Sequence, residues 1–442
     1  MSGSGREPHV APYSWYVVGV LTFAYLVSFL DRQILALMVV PIKADLGLSD
    51  TEISLLMGLA FSIFYVTMGI PLGRLADHRS RRAIISVGVG TWSLMTAACG
   101  LAGSFGQLFL ARIGVGVGEA ALTPSAVSMI SDYFPRNRRG RAIATYNMGI
   151  SLGTGFAMVL GGAVVAYVAS APALELPFVG ALRGWQYVFL LVALPGLLVL
   201  ALMMTVREPL RMERLPGDAP VMPLREVTDF LWERRRLYVT LFLGMSVATI
   251  IGYAYFSWIP TMFVRHFGWT IPQTGLAYGT VILLAGPAGV LGGGWLIDRL
   301  SVAGHADAPA RVALLGAVIT LPSTLLVALM PSPGWTIAML VPASIGPAMA
   351  SAAGSAAVAM VTPNQLRGQT IALYLFTISI LGLTIGPTAV AVLTDHLFAD
   401  EGMLHWSIGI VSTLSATFSV IMLGACLRPY RVAVRALLAG QE

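Results

Sequence analysis

Charge is what this sequence has least of. Asp, Glu, Lys and Arg make up 11% of its 442 residues against 57% hydrophobic, and the mean hydropathy is +0.80. A water-soluble chain of this length could not hide so much apolar surface, so a soluble globular protein is excluded. Cysteine is scarcer still. Cys99 and Cys426 both fall inside apolar runs, so no disulfide framework is expected. His9, His78, His266, His305, His396 and His405 lie in terminal segments, loops or the ends of apolar runs, and with two cysteines they form no metal-ligand spacing. No nucleophile elbow or nucleotide loop is present either. No metal, cofactor or enzymatic activity is therefore expected.

What the chain has instead is a succession of apolar runs long enough to cross a bilayer. Twelve spans are expected, roughly 13–40, 52–73, 83–103, 106–131, 140–169, 184–206, 237–263, 272–297, 311–330, 335–361, 368–394 and 405–427. Lipid offers the backbone no hydrogen-bond partner, which leaves helices or closed barrels, and spans near twenty residues select helices. Residues 1–12 are short and polar, and the first run is too long for a signal core, so no cleaved leader is expected. With the N-terminus inside, 22 of the 27 basic residues fall in inner segments, chiefly Arg74–Arg82, Arg136–Arg141, Arg207–Arg236 and Arg428–Arg435. The outer loops hold only Lys43, Arg183 and Arg265. That asymmetry predicts both termini cytoplasmic. The net charge of +6 then reflects loops facing an anionic leaflet, and no nucleic-acid partner is expected. The expectation is an all-α, multi-pass protein of a plasma (bacterial inner) membrane, surrounded by membrane lipids and working as a monomer.

The longest polar stretch divides the spans six and six. The expected organisation is a cytoplasmic N-terminus (1–12), a six-helix bundle (13–206), a cytoplasmic linker (207–236), a second bundle (237–427) and a cytoplasmic tail (428–442). Within the linker, LREVTDFLW (224–232) reads as a short helix on the membrane surface. The halves also repeat. GRLAD (73–77) is echoed 221 residues later by GWLID (294–298), and PRNRRGRAIATY (135–146) is echoed 228 residues later by PNQLRGQTIALY (363–374). Parallel six-span repeats point to alternating access about two pseudo-symmetric bundles.

GRLADHRSRR resembles the signature loop between helices 2 and 3 of the major facilitator superfamily. Gly73, Asp77, Arg81 and Arg82 are in place; Ser80 stands where the second glycine is usual, and His78 where a basic residue is. Read as a latch, Asp77 faces the positive end of a neighbouring helix while the arginines pair across the inner ends of the bundle. Gly294 and Asp298 repeat the first two elements. The competing reading is topology alone, with Arg-rich loops kept inside. Gly149, Gly153 and Gly155 in span 5, and Gly382, Gly386 and Pro387 in span 11, read first as close helix packing.

Two spans of the first half carry full charges. SFLDRQIL (28–35) holds Asp31 and Arg32, adjacent and so pointing about 100° apart. ARIGVGVGEAAL (111–122) holds Arg112 and Glu119, two turns apart on one helix face. Gly114, Gly116 and Gly118 do not cradle phosphate, because a continuous membrane helix lacks the strand and exposed turn of such a loop. A charge at the bilayer centre costs at least about 3 kcal/mol, and intramembrane ionisable groups mark pathways. Two readings stay open: mutually neutralised salt bridges between helices 1 and 4, or a titrating site with Asp31 first and Glu119 second, Arg32 and Arg112 acting as pair partners and ligands for an anionic head group. The second half offers aromatics in span 7 instead, among them Tyr253 and Trp258. Tyr65, Tyr146 and Asn147 are further candidates for hydrogen bonding to a substrate. A charged wall from one half and an apolar wall from the other suit an amphiphile with an anionic head.

DRQILALMVVPIKADLGLSDTEISLL (31–56), GRLADHRSRR (73–82) and ARIGVGVGEAALTPSAVSMISDYFP (111–135) together resemble the spinster family within that superfamily. The resemblance covers helices 1–5, about a third of the chain, and is superfamily-level beyond Arg207. It implies proton-linked movement of lysophospholipids or sphingosine phosphate. By the same resemblance, the aspartate–arginine pair of helix 1 falls on Asp31 and Arg32, and the arginine and glutamate of helix 4 on Arg112 and Glu119. The alternatives are a transporter of drugs or small organic anions, or a passive lipid facilitator.

Overall fold

The structure, a computed structural model, describes residues 12–172, 174–177, 180–211 and 224–439. Almost all of the expected N-terminal segment and residues 212–223 of the expected linker lie outside the described residues. Among the described residues twelve helices are long and apolar enough to cross a membrane. The first six are α1 (Pro12–Leu37), α2 (Asp50–His78), α3 (Arg81–Cys99), α4 (Phe105–Tyr133), α5 (Arg138–Ser170) and α6 (Gly184–Thr205). The second six are α7 (Arg235–Phe267), α8 (Ile271–Val302), α9 (Ala308–Leu329), α10 (Pro333–Val361), α11 (Gln365–Phe398) and α12 (Glu401–Leu437). Two short helices join them, Val39–Leu46 after α1 and Leu224–Glu233 before α7. The β-structure among the described residues is a two-residue antiparallel pair, Glu175–Leu176 with Gly180–Ala181, in the α5–α6 connection.

Large side chains on the outer faces are apolar and exposed: Leu94 at 65%, Leu110 at 68% and Leu291 at 72%. In water such surfaces would associate; against lipid tails they cost nothing. Packing between helices must then come from close approach rather than water expulsion. The α9–α10 crossing shows how. A Cβ built on Gly316 would sit 2.4 Å from the Gly346 carbonyl oxygen, and one on Gly346 would sit 2.4 Å from the Gly316 carbonyl, so the two backbones touch where neither residue has a side chain.

Two elements depart from the expected boundaries. The last helix does not end near 427 but runs on to Ala439, because Tyr430 is fully buried, donates its hydroxyl to the Ala357 carbonyl at 3.0 Å, and packs with Cys426 and Val434 in the core of the second half. The expected tail is thus largely helical. Span 4 is also not continuous: it breaks at Ala120–Ala121, between Phe105–Glu119 and Leu122–Tyr133. Pro124 has no N–H to offer the Ala120 carbonyl and its ring crowds that turn, which is enough to interrupt the ladder.

The chain forms two compact units. One comprises Met1–Ile34 with Ile63–Gly217, the other Leu35–Ser62 with Asp218–Glu442. The hairpin 35–62 therefore groups with the later helices. Its hold is chemical: the buried Asp50 carboxylate takes both Arg265 guanidinium nitrogens, at 2.7 and 2.8 Å, and the Lys43 ammonium at 2.5 Å. Glu401 closes the ring against Lys43 (2.9 Å) and Arg265 (3.0 Å). Ser49 and Glu52 form a reciprocal capping box at the start of α2, and Asp395 accepts from the Thr51 N–H and hydroxyl at the same helix end. Gly58 lets α11 approach; a Cβ there would lie 2.6 Å from the Leu383 carbonyl oxygen.

Candidate functional site

The four intramembrane charges meet inside the first unit. Asp31, Arg112 and Glu119 are 1–2% exposed, and the Arg32 side chain 8%. Each is placed by its helix. α1 presents Asp31 and Arg32 on adjacent faces, and α4 carries Arg112 and Glu119 two turns apart, Glu119 being the last residue before the break. α4 comes close to α3 because Gly118 has no side chain: a Cβ there would lie 2.6 Å from the Trp92 amide nitrogen and 2.8 Å from the Gly88 carbonyl oxygen.

The pairing joins the residues crosswise. Arg32 donates to Glu119 Oε2 at 2.6 Å, linking α1 to α4. Its guanidinium also lies over two rings, Phe29 at 4.8 Å and Tyr65 at 5.0 Å, the cation–π geometry that steadies a desolvated arginine. Arg112 reaches the backbone carbonyl of Asp31, at 3.3 Å, through Nη1. Neither oxygen of the Asp31 carboxylate has a hydrogen-bond partner of normal geometry among the described residues, although the Thr96 hydroxyl lies beside it and Arg112 and Glu119 lie within electrostatic reach. So α1 and α4 do carry opposite ions into contact, and the bonded pair is Arg32–Glu119. The cluster sums to zero charge when both acids are ionised.

Of the further candidates, Tyr65 belongs to this cluster through Arg32. Tyr146 is fully buried, stacked 4.8 Å from Tyr25 at an interplanar angle of 7°, with its hydroxyl 3.3 Å from the Thr123 hydroxyl. Asn147, the next residue round α5, is exposed. In the second unit Trp258 is fully buried and its indole N–H is committed to the Pro387 carbonyl at 2.8 Å. Tyr253 is half-buried and packs on Gly382, where a Cβ would come 2.9 Å from its ring.

At the far end of α2 the arginines and the aspartate of the signature loop behave differently. Asp77 is exposed, as is Asp298, and Gly294 has open space where a side chain would go. Arg81 is fully buried. It bonds Asp132, the Ser128 hydroxyl (3.0 Å), Glu208 (2.8 Å) and the Pro209 carbonyl (3.1 Å). Glu208 also accepts from the Arg82 amide (2.9 Å) and the Ser80 hydroxyl (2.9 Å), and Arg82 reaches the Met204 carbonyl (3.1 Å). Arg211 caps the α2 C-terminus through the Ala76 and Arg79 carbonyls, at 2.7 and 2.8 Å, where a cation suits the negative helix end. Sequence reasoning missed Asp132 and Glu208. The available signal was two acids at helix ends otherwise crowded with arginine. It missed Asp50 and Glu401 as well, although Lys43 and Arg265, two of only three basic residues assigned to outer loops, announced that counter-ions were needed.

The Arg81 cluster has a pH consequence. Burial works to raise the Glu208 pKa, but the Arg82 amide, the Arg81 guanidinium and the Ser80 hydroxyl outweigh it and hold the carboxyl below its ordinary value. A depressed pKa stabilises the fold above the ordinary carboxylate range, and that stability is lost as pH falls through the folded-state pKa. The unfolding midpoint of the detergent-purified chain should therefore drop below about pH 4, under the usual glutamate range. Glu208→Gln should start lower at pH 7 and lose less on acidification; a midpoint with the same pH profile as wild type would remove Glu208 from this role.

Twelve helices in two repeated sets, with a buried quartet of charges between the first and fourth, define a class. The profile of the Major Facilitator Superfamily matches residues 21–306, and the chain belongs to that family. It is 28% identical over 410 residues to an MFS-type efflux pump of Mycolicibacterium smegmatis, covering 90% of this chain and 88% of that protein. A bacterial homologue of the human lysosomal transporter Spinster, solved inward-facing and unoccupied, superposes with a TM-score of 0.79 at 28% identity, covering 98% of this chain and 99% of that one. Protein spinster of Drosophila melanogaster is 25% identical over 307 residues, 67% of this chain and 47% of that protein. Within the superfamily the chain is a secondary transporter of the Spinster type, integral to a membrane.

Proposed function

We propose that the protein moves an anionic amphiphile, a lysophospholipid or sphingosine-phosphate-like lipid, by proton-linked alternating access, with both termini cytoplasmic. The observation that carries the reading is the buried quartet: Arg32 bonded to Glu119, Arg112 on the Asp31 carbonyl, and an Asp31 carboxylate that no hydrogen bond occupies. With both acids ionised the quartet is neutral and has no charge to offer a phosphate. A proton on Asp31 leaves it at net +1, the complement of an anionic head group, and no hydrogen bond has to break to admit that proton. The guanidinium fork of Arg32 or Arg112 then binds phosphate in two-pronged fashion. Tyr65 flanks Arg32 on the same site. The loop from Gly73 to Arg82 and its echo at Gly294 and Asp298 serve as the latch that changes between states.

Support for the lipid comes from the Spinster resemblance over nearly the whole chain; the efflux-pump relative favours a second reading, export of drugs or small organic anions through the same charges. Flux of a fluorescent lysophospholipid into proteoliposomes, with and without an imposed pH gradient, tests the proposal. Gradient-driven accumulation is expected. Accumulation of a labelled small anion that lysophospholipid does not inhibit would favour the second reading instead, and flux indifferent to the gradient would leave a passive facilitator.

A further inference from the structure

The second unit contains a cavity of about 470 Å³ at the ends of α8, α10 and α12, well away in sequence from the quartet. Ser301, His305, Thr362 and Arg367 supply its polar lining, and Ala306, Met360, Val434 and Leu437 most of the rest. Among the described residues no aspartate or glutamate lines it. Arg367 reaches the Thr362 carbonyl at only 3.4 Å, and its Nε is buried with no hydrogen-bond partner among the described residues. The nearest acid in sequence, Asp307, is committed to Arg311 at 2.8 Å and Arg431 at 3.0 Å.

The internal repeat explains why this place is a hollow. In the first unit the matching positions, 228 residues earlier for Met360 and Arg367, are Asp132 and Arg139, and Ser301 matches Ser80 at the 221 offset. There Asp132 and Glu208 close on Arg81 and fill the region with ion pairs. In the second unit methionine replaces that acid, and Asp307, just before α9, pairs with Arg311 of that helix and Arg431 of α12. The new ion pair forms to one side, and Arg367 lines the hollow with hydroxyls, an imidazole and the N-terminal end of α11 beside it.

From this geometry we infer that the cavity is a second anion site, built for the phosphate of an anionic membrane phospholipid, with Arg367 as its principal ligand. A guanidinium pairs with phosphate through strong, charge-assisted and often two-pronged hydrogen bonds. The apolar walls from Met360, Val434 and Leu437 suit the glycerol and first acyl carbons, which a free phosphate would leave uncovered. Basic pockets at the inner ends of membrane helices bind acidic lipid head groups on the same physical grounds.

The test is thermal unfolding of the full chain in detergent, titrated with dioleoylphosphatidylglycerol, dioleoylphosphatidylcholine or inorganic phosphate. Phosphatidylglycerol should raise the midpoint saturably and phosphatidylcholine should not. Arg367→Gln should raise the half-effect concentration at least about tenfold, the loss of one charge-assisted hydrogen bond. Met360→Asp, at a position 40% exposed, restores the acid that the first unit has there and should weaken binding equally while leaving the fold in place. Equal stabilisation by both lipids, stabilisation by inorganic phosphate without phosphatidylglycerol, or wild-type half-effect concentrations in both variants would each overturn the inference.

Discussion

Arg32→Gln should lower gradient-driven lysophospholipid uptake at least about tenfold, the scale of one lost charge-assisted bond. The same substitution should also destabilise the chain, because it strands Glu119 in a fully buried position with its ion partner removed. Breaking a buried pair from one side costs about 3–5 kcal/mol. Lost transport in this variant alone would thus be ambiguous. The double variant Arg32→Met with Glu119→Leu resolves it. Removing both charges leaves no stranded ion, so the unfolding midpoint should return close to that of wild type. Transport should stay at least about tenfold down, since one of the two guanidiniums that hold the head group is gone. A double variant that folds and transports at the wild-type rate would reduce the pair to a brace between α1 and α4.

Asp31→Asn carries the second large effect. It leaves Glu119 facing Arg32 and Arg112, so the quartet becomes permanently positive by one charge, the state that a proton on Asp31 creates in the wild type. Exchange of substrate across the membrane should persist, because the site is always able to accept an anion. Accumulation driven by an imposed pH gradient should vanish, and the rate should lose its pH dependence, because the proton has nowhere to bind. The side chain is nearly isosteric and accepts no bond in the structure that the amide would lose, so folding should survive. Both readouts come from the same proteoliposomes. A pH profile superimposable on wild type would shift the coupling role to Glu119.

Much of this was legible from the linear chain. Twelve apolar runs appear as twelve spans because a helix in lipid needs about twenty apolar residues and can satisfy its own backbone wherever they occur. The glycines of ARIGVGVGEAAL were legible as no phosphate cradle, and Gly118 instead brings α4 onto Trp92. Partner choice was less legible. The sequence puts opposite charges on helices 1 and 4 without saying which pair, and in the structure Arg112 meets the Asp31 carbonyl while the carboxyl-bearing partner of Arg32 is Glu119. Rise per residue gives depth along a helix; it does not give the rotation of one helix against another. The break after Glu119 went unread for a different reason, since Pro124 is compatible with either a kink or an interruption.

The amino-acid order alone determined that this protein is a membrane-embedded bundle of repeated halves, and that Asp31, Arg32, Arg112 and Glu119 are charges placed well inside spans of the first half, because hydropathy, helical periodicity and the repeat offset are local properties of the chain. Only the tertiary structure decided which of those charges touch, that Arg81 spends its guanidinium on Asp132 and Glu208 rather than on Asp77, that the hairpin carrying Asp50 sides with Arg265 and Glu401, and that an open hollow remains beside Arg367. Each of those contacts joins residues far apart in sequence. They follow from the angle and rotation at which whole helices pack, which no short stretch of sequence encodes by itself.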